Sequence, residues 1–251
     1  MIRLLILWLA LWPAAVGAQT VTMRLSQNFV PIDASFAGGE ILAFGALIPG
    51  AGQTARDLAD IDIVVTVAGP PRTVTVRHKT RALGIWVNTG STTIAQVPSF
   101  YATAETAPLR RILNWTDGHL LSVNDRLRAS LGPGATREDV SYFAALLRIG
   151  REKGFYVDSA TPVDVQDDTL FRTRFTLPGD LPPGGYVVTA YLLRGGTVIA
   201  SQSQLINVDQ IGLSLVLRRM AMANGWFYGG MTLILALGAG WAAAAITARG
   251  R

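Results

Sequence analysis

The chain has 251 residues, half of them hydrophobic, a formal net charge of +5 and no cysteine. The missing cysteine excludes disulfides, thiolate nucleophiles, iron–sulfur clusters and Cys-ligated zinc. Of the 22 basic residues, Arg3, Arg218, Arg219, Arg249 and Arg251 lie in or beside apolar terminal segments, which leaves 17 against 17 acidic ones, so the basicity does not describe a nucleic-acid surface.

Residues 1–18 read as a secretory leader. Arg3 precedes an apolar run from Leu4 to Trp12, Pro13 breaks it, and Val16, Gly17 and Ala18 are small residues before a cut at Gln19. The apolar run is too short to span a bilayer comfortably. A cleaved leader places the body outside the cytoplasm. No cysteine is available there for a lipid anchor.

From Gln19 to about Thr106 the chain reads as strands. Val21 to Leu25 alternates, and Ile41 to Ile48 is mostly apolar behind the turn pair Gly38-Gly39. Asp60 to Val67 begins alternating and becomes continuous. Gly69-Pro70-Pro71 breaks the chain, Thr73 to Arg81 alternates strictly, and Leu83 to Val87 and Pro98 to Ala104 continue the pattern. The period then changes. Pro108 opens a helical stretch with Leu109, Ile112 and Leu113 on one face, and a second apolar pattern holds Leu120, Leu121, Leu127 and Leu131. A third helix starts at Thr136, with Glu138 and Asp139 in its first turn and Val140, Phe143, Ala144 and Leu147 at helical spacing. Strands return at Thr169 to Leu177, Tyr186 to Leu193 and Thr197 to Asn207, the last two joined by Arg194-Gly195-Gly196. Tyr186, just after a Pro-Gly turn, suits a corner of an immunoglobulin-like sandwich.

Gln210, Ser214 and Arg218 form a polar stripe in an otherwise apolar stretch, which predicts an amphipathic juxtamembrane segment over 208–225 or a core helix of the body. Trp226 to Ala248 contains no charged residue and is long enough to cross a bilayer. Within it Thr232, Ala236, Gly240 and Ala244 recur every four residues, a small-residue stripe suited to packing against another membrane helix, either a second copy or a transporter.

Candidate chemistry is sparse. Arg77, Lys79 and Arg81 share one strand face, either an anion or headgroup contact or a solvated edge. His78 points to the opposite face with Val74 and Val76, and His119 follows a turn. A hydrolase using either histidine needs partners brought in by folding. Asp164, Asp167 and Asp168 lack the spacing, glycine and terminal glutamate of a calcium loop. Trp86, Phe100, Tyr101 and Trp115 suit either a ligand surface or a core. The sequence thus implies no catalytic set, no metal site and no cofactor.

The leader, SFAGGEILAFGAL (35–47), VAGPPRTVTVRHKTRALGIWVNTGS (67–91), VPSFYATAETAPL (97–109), GFYVD (154–158), LFRTRFTLPGDLPPGGYVVTAYLLRGG (170–196) and the terminal helix together resemble the alphaproteobacterial putative transmembrane protein family. The resemblance covers most of the chain in order. It implies a single-pass protein with a periplasmic β-rich body and, through exporters of the sulfite/organosulfonate type encoded near family members, a transport-related role. It carries over no functional residue.

The expected architecture is a mainly β, immunoglobulin-like sandwich over 19–207 with a helical insertion near 107–154, then the juxtamembrane segment, one transmembrane helix over 226–248 and a cytoplasmic tail over 249–251. The expected function is a membrane-tethered periplasmic binding or accessory module, not an enzyme, with a membrane-protein partner or its own copy as contact and no nucleic acid. An envelope hydrolase and a passive structural protein of the envelope are the alternatives.

Overall fold

The computed structural model describes residues 19–33, 35–50, 54–82, 84–113, 121–132, 134–159, 161–211 and 221–249. The expectations for 1–18, for His119 and Trp115, and for residues 212–220 of the 208–225 segment lie outside the described residues.

The protein is mainly β. One sheet has the order β1 (Thr20–Leu25), β3 (Gly38–Ile48), β10 (Leu170–Pro178), β9 (Asp164–Gln166), all antiparallel. The larger sheet runs β2 (Phe29–Ile32), β12 (Thr197–Gln210), β11 (Gly184–Arg194), β4 (Asp62–Ala68), β7 (Tyr101–Glu105), β8 (Tyr156–Val157). The strands β5 (Pro71–Ala82) and β6 (Ile85–Pro98) pair only with each other.

The two larger sheets pack face to face. Met23, Ile41, Phe171 and Phe175 from one meet Ile63, Val65, Val188, Leu192 and Ile206 from the other in a single core. Alternation accounts for this: in β10, Phe171, Thr173, Phe175 and Leu177 are buried and the residues between them exposed. β4 differs, since Ile63 to Val67 are all buried. On its second face Val64 packs with Ile112 of the first helix, Leu121 of the turn after it and Leu193 of β11. A strand covered on both faces reads as a continuous apolar run, which is how the sequence pattern changes there.

The helices α1 (Leu109–Ile112), α2 (Val123–Arg128) and α3 (Arg137–Glu152) form this third layer. Ser122 caps α2, and Thr136 with Asp139 forms a reciprocal capping box on α3. The buried face of α3 carries Tyr142, Phe143, Leu146, Leu147 and Gly150. Val140 and Ala144, expected on that face, are exposed. Phe143 and Leu147 are buried as expected, and the face also includes Gly150, where a Cβ would sit 2.1 Å from the Tyr156 ring.

Two boundaries also differ from the sequence reading. β6 continues past Val87 through Asn88-Thr89-Gly90-Ser91, which resembles turn sequence but lies within a bulged strand. β12 runs past Asn207, because Val208 enters the core and Asp209 and Gln210 pair with β2 in parallel. Gly195 and Gly196, at φ 56° and 86°, make the β11–β12 turn.

At the end of the larger sheet the Tyr186 hydroxyl donates to the Pro182 carbonyl at 2.6 Å, and its fully buried ring lies 6.2 Å from that of Phe100. Burial pushes the phenol up to about 12, so it remains a donor throughout the working pH range. Replacing Tyr186 with Phe is expected to cost about 1 kcal/mol, the usual worth of one such bond. Chemical denaturation of wild type and variant in the same detergent checks it; equal stability would show that the hydroxyl does not hold this corner.

Candidate functional site

Two features of the fold are available for contact with something outside it. The first is the arm made by β5 and β6. The chain leaves the larger sheet at Gly69-Pro70 and returns at Ser99-Phe100. Hydrogen bonds from Gly69 N to Phe100 O (2.8 Å) and from Ser99 N to Pro70 O (3.0 Å) carry the pairing through the junction.

One face of the arm is braced. Val76, Ile94 and Val97 pack with Leu127, Phe143 and Leu147 from α2 and α3. Thr92 donates to Asp139 at 2.8 Å, so the carboxylate that caps α3 also ties it to β6. Among the described residues the buried packing of the arm ends near the Arg77–Ser91 and His78–Gly90 pairs. Of the remaining pairs, Lys79–Asn88, Thr80–Val87, Arg81–Trp86 and Ala82–Ile85, only Thr80 and Val87 are half-buried and the other residues are exposed.

The opposite face carries Arg77, Lys79 and Arg81, all exposed. Trp86 is paired directly with Arg81 and therefore shares that face. The arm thus brings together three cations and an aromatic ring that the sequence reading treated separately. His78 is exposed on the braced face, and neither described cavity is lined by it. Phe100 and Tyr101 are core residues, so of the described aromatic candidates only Trp86 remains on a surface.

The second feature is the helix α4 (Gly225–Arg249), which has 25 residues and is about 37 Å long at the standard rise. Leu233, Ile234, Leu235, Leu237 and Trp241 are 62–77% exposed and spread over about 200° of the helix circumference. Thr232, Ala236, Gly240 and Ala244 are exposed as well. The Thr232 hydroxyl donates to the Tyr228 and Gly229 carbonyls, so its polar atom is satisfied within the helix. A Cβ at Gly240 would meet nothing within 4 Å. Among the described residues no helix is long and apolar enough to cross a membrane.

Two of the cavities bordered by described residues carry polar groups. A groove of about 390 Å³ on the outer side of the β1–β3–β10–β9 sheet is bordered by Arg24, Phe44, Leu170 and Arg172, with Arg172 paired to Asp164 at 2.8 Å. A smaller cavity of about 180 Å³ is bordered by Glu105, Pro108 and Ser159. Glu105 is buried; its Oε1 accepts from the Ser159 hydroxyl, and its Oε2 has no hydrogen-bond partner among the described residues. Sequence reasoning missed this residue, since a lone glutamate ending a strand gives no signal. Neither lining holds a histidine. No cluster of metal-binding side chains occurs among the described residues. Asp167 and Asp168 form the β9–β10 turn at φ 52° and 53°, and Asp164 is held by Arg172. The acidic patch is a solvated turn.

Residues 20–249 match the family described as "Putative transmembrane protein (Alph_Pro_TM)". No curated protein matches the chain. Among solved structures, the sporulation control protein Spo0M from Bacillus subtilis is similar at 13% identity, with 83% of this chain and 56% of that one covered and a TM-score of 0.30. A putative beta-galactosidase from Bacteroides fragilis is similar at 12%, with 76% and 17% covered and a TM-score of 0.25. Likenesses of this size carry no argument about fold or function.

Asp139 joins the arm to its brace, and bonds from the Thr136 backbone, the Thr136 hydroxyl and Thr92 hold its carboxyl below the ordinary value of 3.8. A folded value below the unfolded one contributes stability above the unfolded value, and that contribution disappears as pH falls through the folded value. Asp139→Asn is therefore expected to lower the melting temperature at pH 7 and to narrow the difference from wild type as pH falls from 5 to 3. Parallel melting curves that keep the same separation at both ends would refute the assignment.

Proposed function

The chain belongs to that transmembrane protein family, and from this premise we propose that it is a membrane-tethered periplasmic accessory module. Its β body is held at the inner membrane by α4, and its partner is an integral membrane protein, an exporter of the sulfite/organosulfonate type being the favoured one. On this reading it is not an enzyme.

The observation that carries the proposal is the exposure of α4 on every side. A helix apolar all round belongs either in a protein core or in a bilayer. The described side chains of α4 are not in this protein's core. The leader-like pattern of residues 1–18 favours a body outside the cytoplasm, with Arg249 and Arg251 inside. The Tyr186–Pro182 bond supports reading the paired sheets as an immunoglobulin-like sandwich, because a buried tyrosine that bonds backbone a few residues upstream is a mark of that architecture. Partner contact through the small-residue stripe is favoured by the open surface at Gly240 and by the general rule that helices associate in lipid through close backbone approach.

Because the chain has no cysteine, single cysteines report position cleanly. A cysteine at Thr75 is expected to react with an impermeant thiol reagent in intact spheroplasts, and one at Gly250 only after lysis. The reverse pattern would overturn the topology. For the partner, Gly240→Leu keeps the helix apolar and is expected to reduce recovery of crosslinked membrane proteins or of the dimer by severalfold. Unchanged recovery would leave α4 as an anchor alone.

A further inference from the structure

We infer that the β5–β6 arm is a second membrane attachment point. Its tip residues Ile85 and Trp86 enter the headgroup region of an anionic bilayer, and Arg77, Lys79 and Arg81 contact lipid phosphates behind them. The inference rests on the reading of α4 as a membrane span and adds to it a contact made by the body.

The first observation is chemical. Ile85 and Trp86 are 64% and 69% exposed at the end of a hairpin, where a water-facing apolar pair is unfavourable. Trp suits the bilayer interface, with a ring that is apolar on its faces and polar at its N–H. The cations stand behind it on the same face. Long basic side chains reach phosphates while their stems lie along apolar surface. From Gly69 to Phe100 the chain contains Arg72, Arg77, Lys79 and Arg81 and no acidic residue. The ion pairs formed among the described residues engage Arg151, Arg172 and Arg174 and none of these four.

The second observation is topological. β4 and β12 are both antiparallel to β11, so they run in the same direction. Ala68, the last residue of β4, is paired with Val187 near the start of β11, and Val208 near the end of β12 is paired with Gly184. The arm therefore leaves the sheet from the end at which the chain departs for α4. A Cβ on Gly184 would sit 2.8 Å from Pro70, which shows how near the exits lie. The arm is about 40 Å long from Pro71 at the usual strand rise. Residues 211–224 can span at most about 50 Å. Tip and helix can thus meet the same bilayer surface. Asp139, which faces the arm from α3, is bound to Thr136 and Thr92 on the opposite face from the cations.

The arrangement also explains why the distal pairs lack a brace. A hairpin that enters the headgroup region needs its last turn clear of the body, and the helical packing ends at the Gly90 level.

The test uses the full chain carrying one spin-labelled cysteine, reconstituted in vesicles of phosphatidylethanolamine and phosphatidylglycerol. Labels at Ile85→Cys, Thr75→Cys and Ile234→Cys report the tip, the base of the arm and α4 through relative accessibility to oxygen and to a water-soluble nickel complex. The expected result is a lipid-type signal at 85 and 234 and an aqueous one at 75. Adding Lys79→Gln should lower the ratio of inserted to aqueous label at 85 by roughly fivefold, the worth of one charge near an anionic surface. Phosphatidylcholine vesicles or high salt should lower it further. An aqueous signal at 85 with 234 still in lipid overturns the arm contact and leaves the α4 reading standing. An aqueous signal at 234 overturns both. A tip shielded in native membranes but aqueous in pure-lipid vesicles assigns the arm to a protein partner and overturns the bilayer contact.

Discussion

The close packing around Gly69 is the constraint on which the rest of the molecule depends. A Cβ there would meet the Ser99 hydroxyl at 2.6 Å, the Tyr186 ring at 2.8 Å and the Phe100 nitrogen at 3.0 Å. Only glycine lets β4 pass between the Tyr186 corner and the returning strand. Tyr186 is fixed in turn by its bond to Pro182 and by the Phe100 ring. The same few residues therefore close the end of the core and set the place where the arm leaves it. Loosening this junction would disturb the core and the arm together.

The helical layer has a double task that follows from the burial of β4 on both faces. Covering the outer side of the sheet requires Ile112 and Leu121. The same run of helices then continues onto the arm through Phe143 and Leu147. A hairpin of two strands is marginal by itself in water. Packing on α2 and α3 supplies the third element that makes its inner part stable. Among the described residues the outer part is held mainly by its own pairing, and its end is exposed. Asp139 joins the two tasks in one side chain, capping α3 and accepting from Thr92 on β6.

Strict periodicity was legible and compensated packing was not. β10 and the β11–β12 hairpin follow alternation and a Gly-Gly turn, and both stand where the pattern puts them. Thr136 caps α3 for the reason its position suggests. The face of α3 was half legible: Phe143 and Leu147 are buried as expected and Val140 and Ala144 are not, while the close contact between Gly150 and Tyr156 is one that no local rule reports. β6 was cut short because Asn88, Thr89, Gly90 and Ser91 are turn formers, and only pairing with β5 makes them a strand. β2 carries Pro31 and pairs in parallel at a sheet edge, where proline is tolerated and pattern is weak. The row of Arg77, Lys79 and Arg81 could be read as a shared face, but the addition of Trp86 to that face required the register.

Charge shows the same limit of linear reading. The body between the terminal segments has 17 basic and 17 acidic residues and looks neutral. Once the arm is known as a separate limb, its four basic residues and absence of acidic ones leave the remainder with 13 basic against 17 acidic. A neutral total thus conceals a polarised molecule, basic along one limb and acidic elsewhere. Above an anionic surface such a distribution favours one orientation, with the arm toward the lipid and the bulk of the body away from it. The attraction acts within about a Debye length, roughly 8 Å at physiological ionic strength, so it orients a body already held close and does little to recruit one from afar. α4 and the arm consequently have different physical roles. On the proposed reading the helix would hold the body near the membrane through its apolar length, and the arm, with its charge and its exposed tip, would decide which way the body faces once it is there.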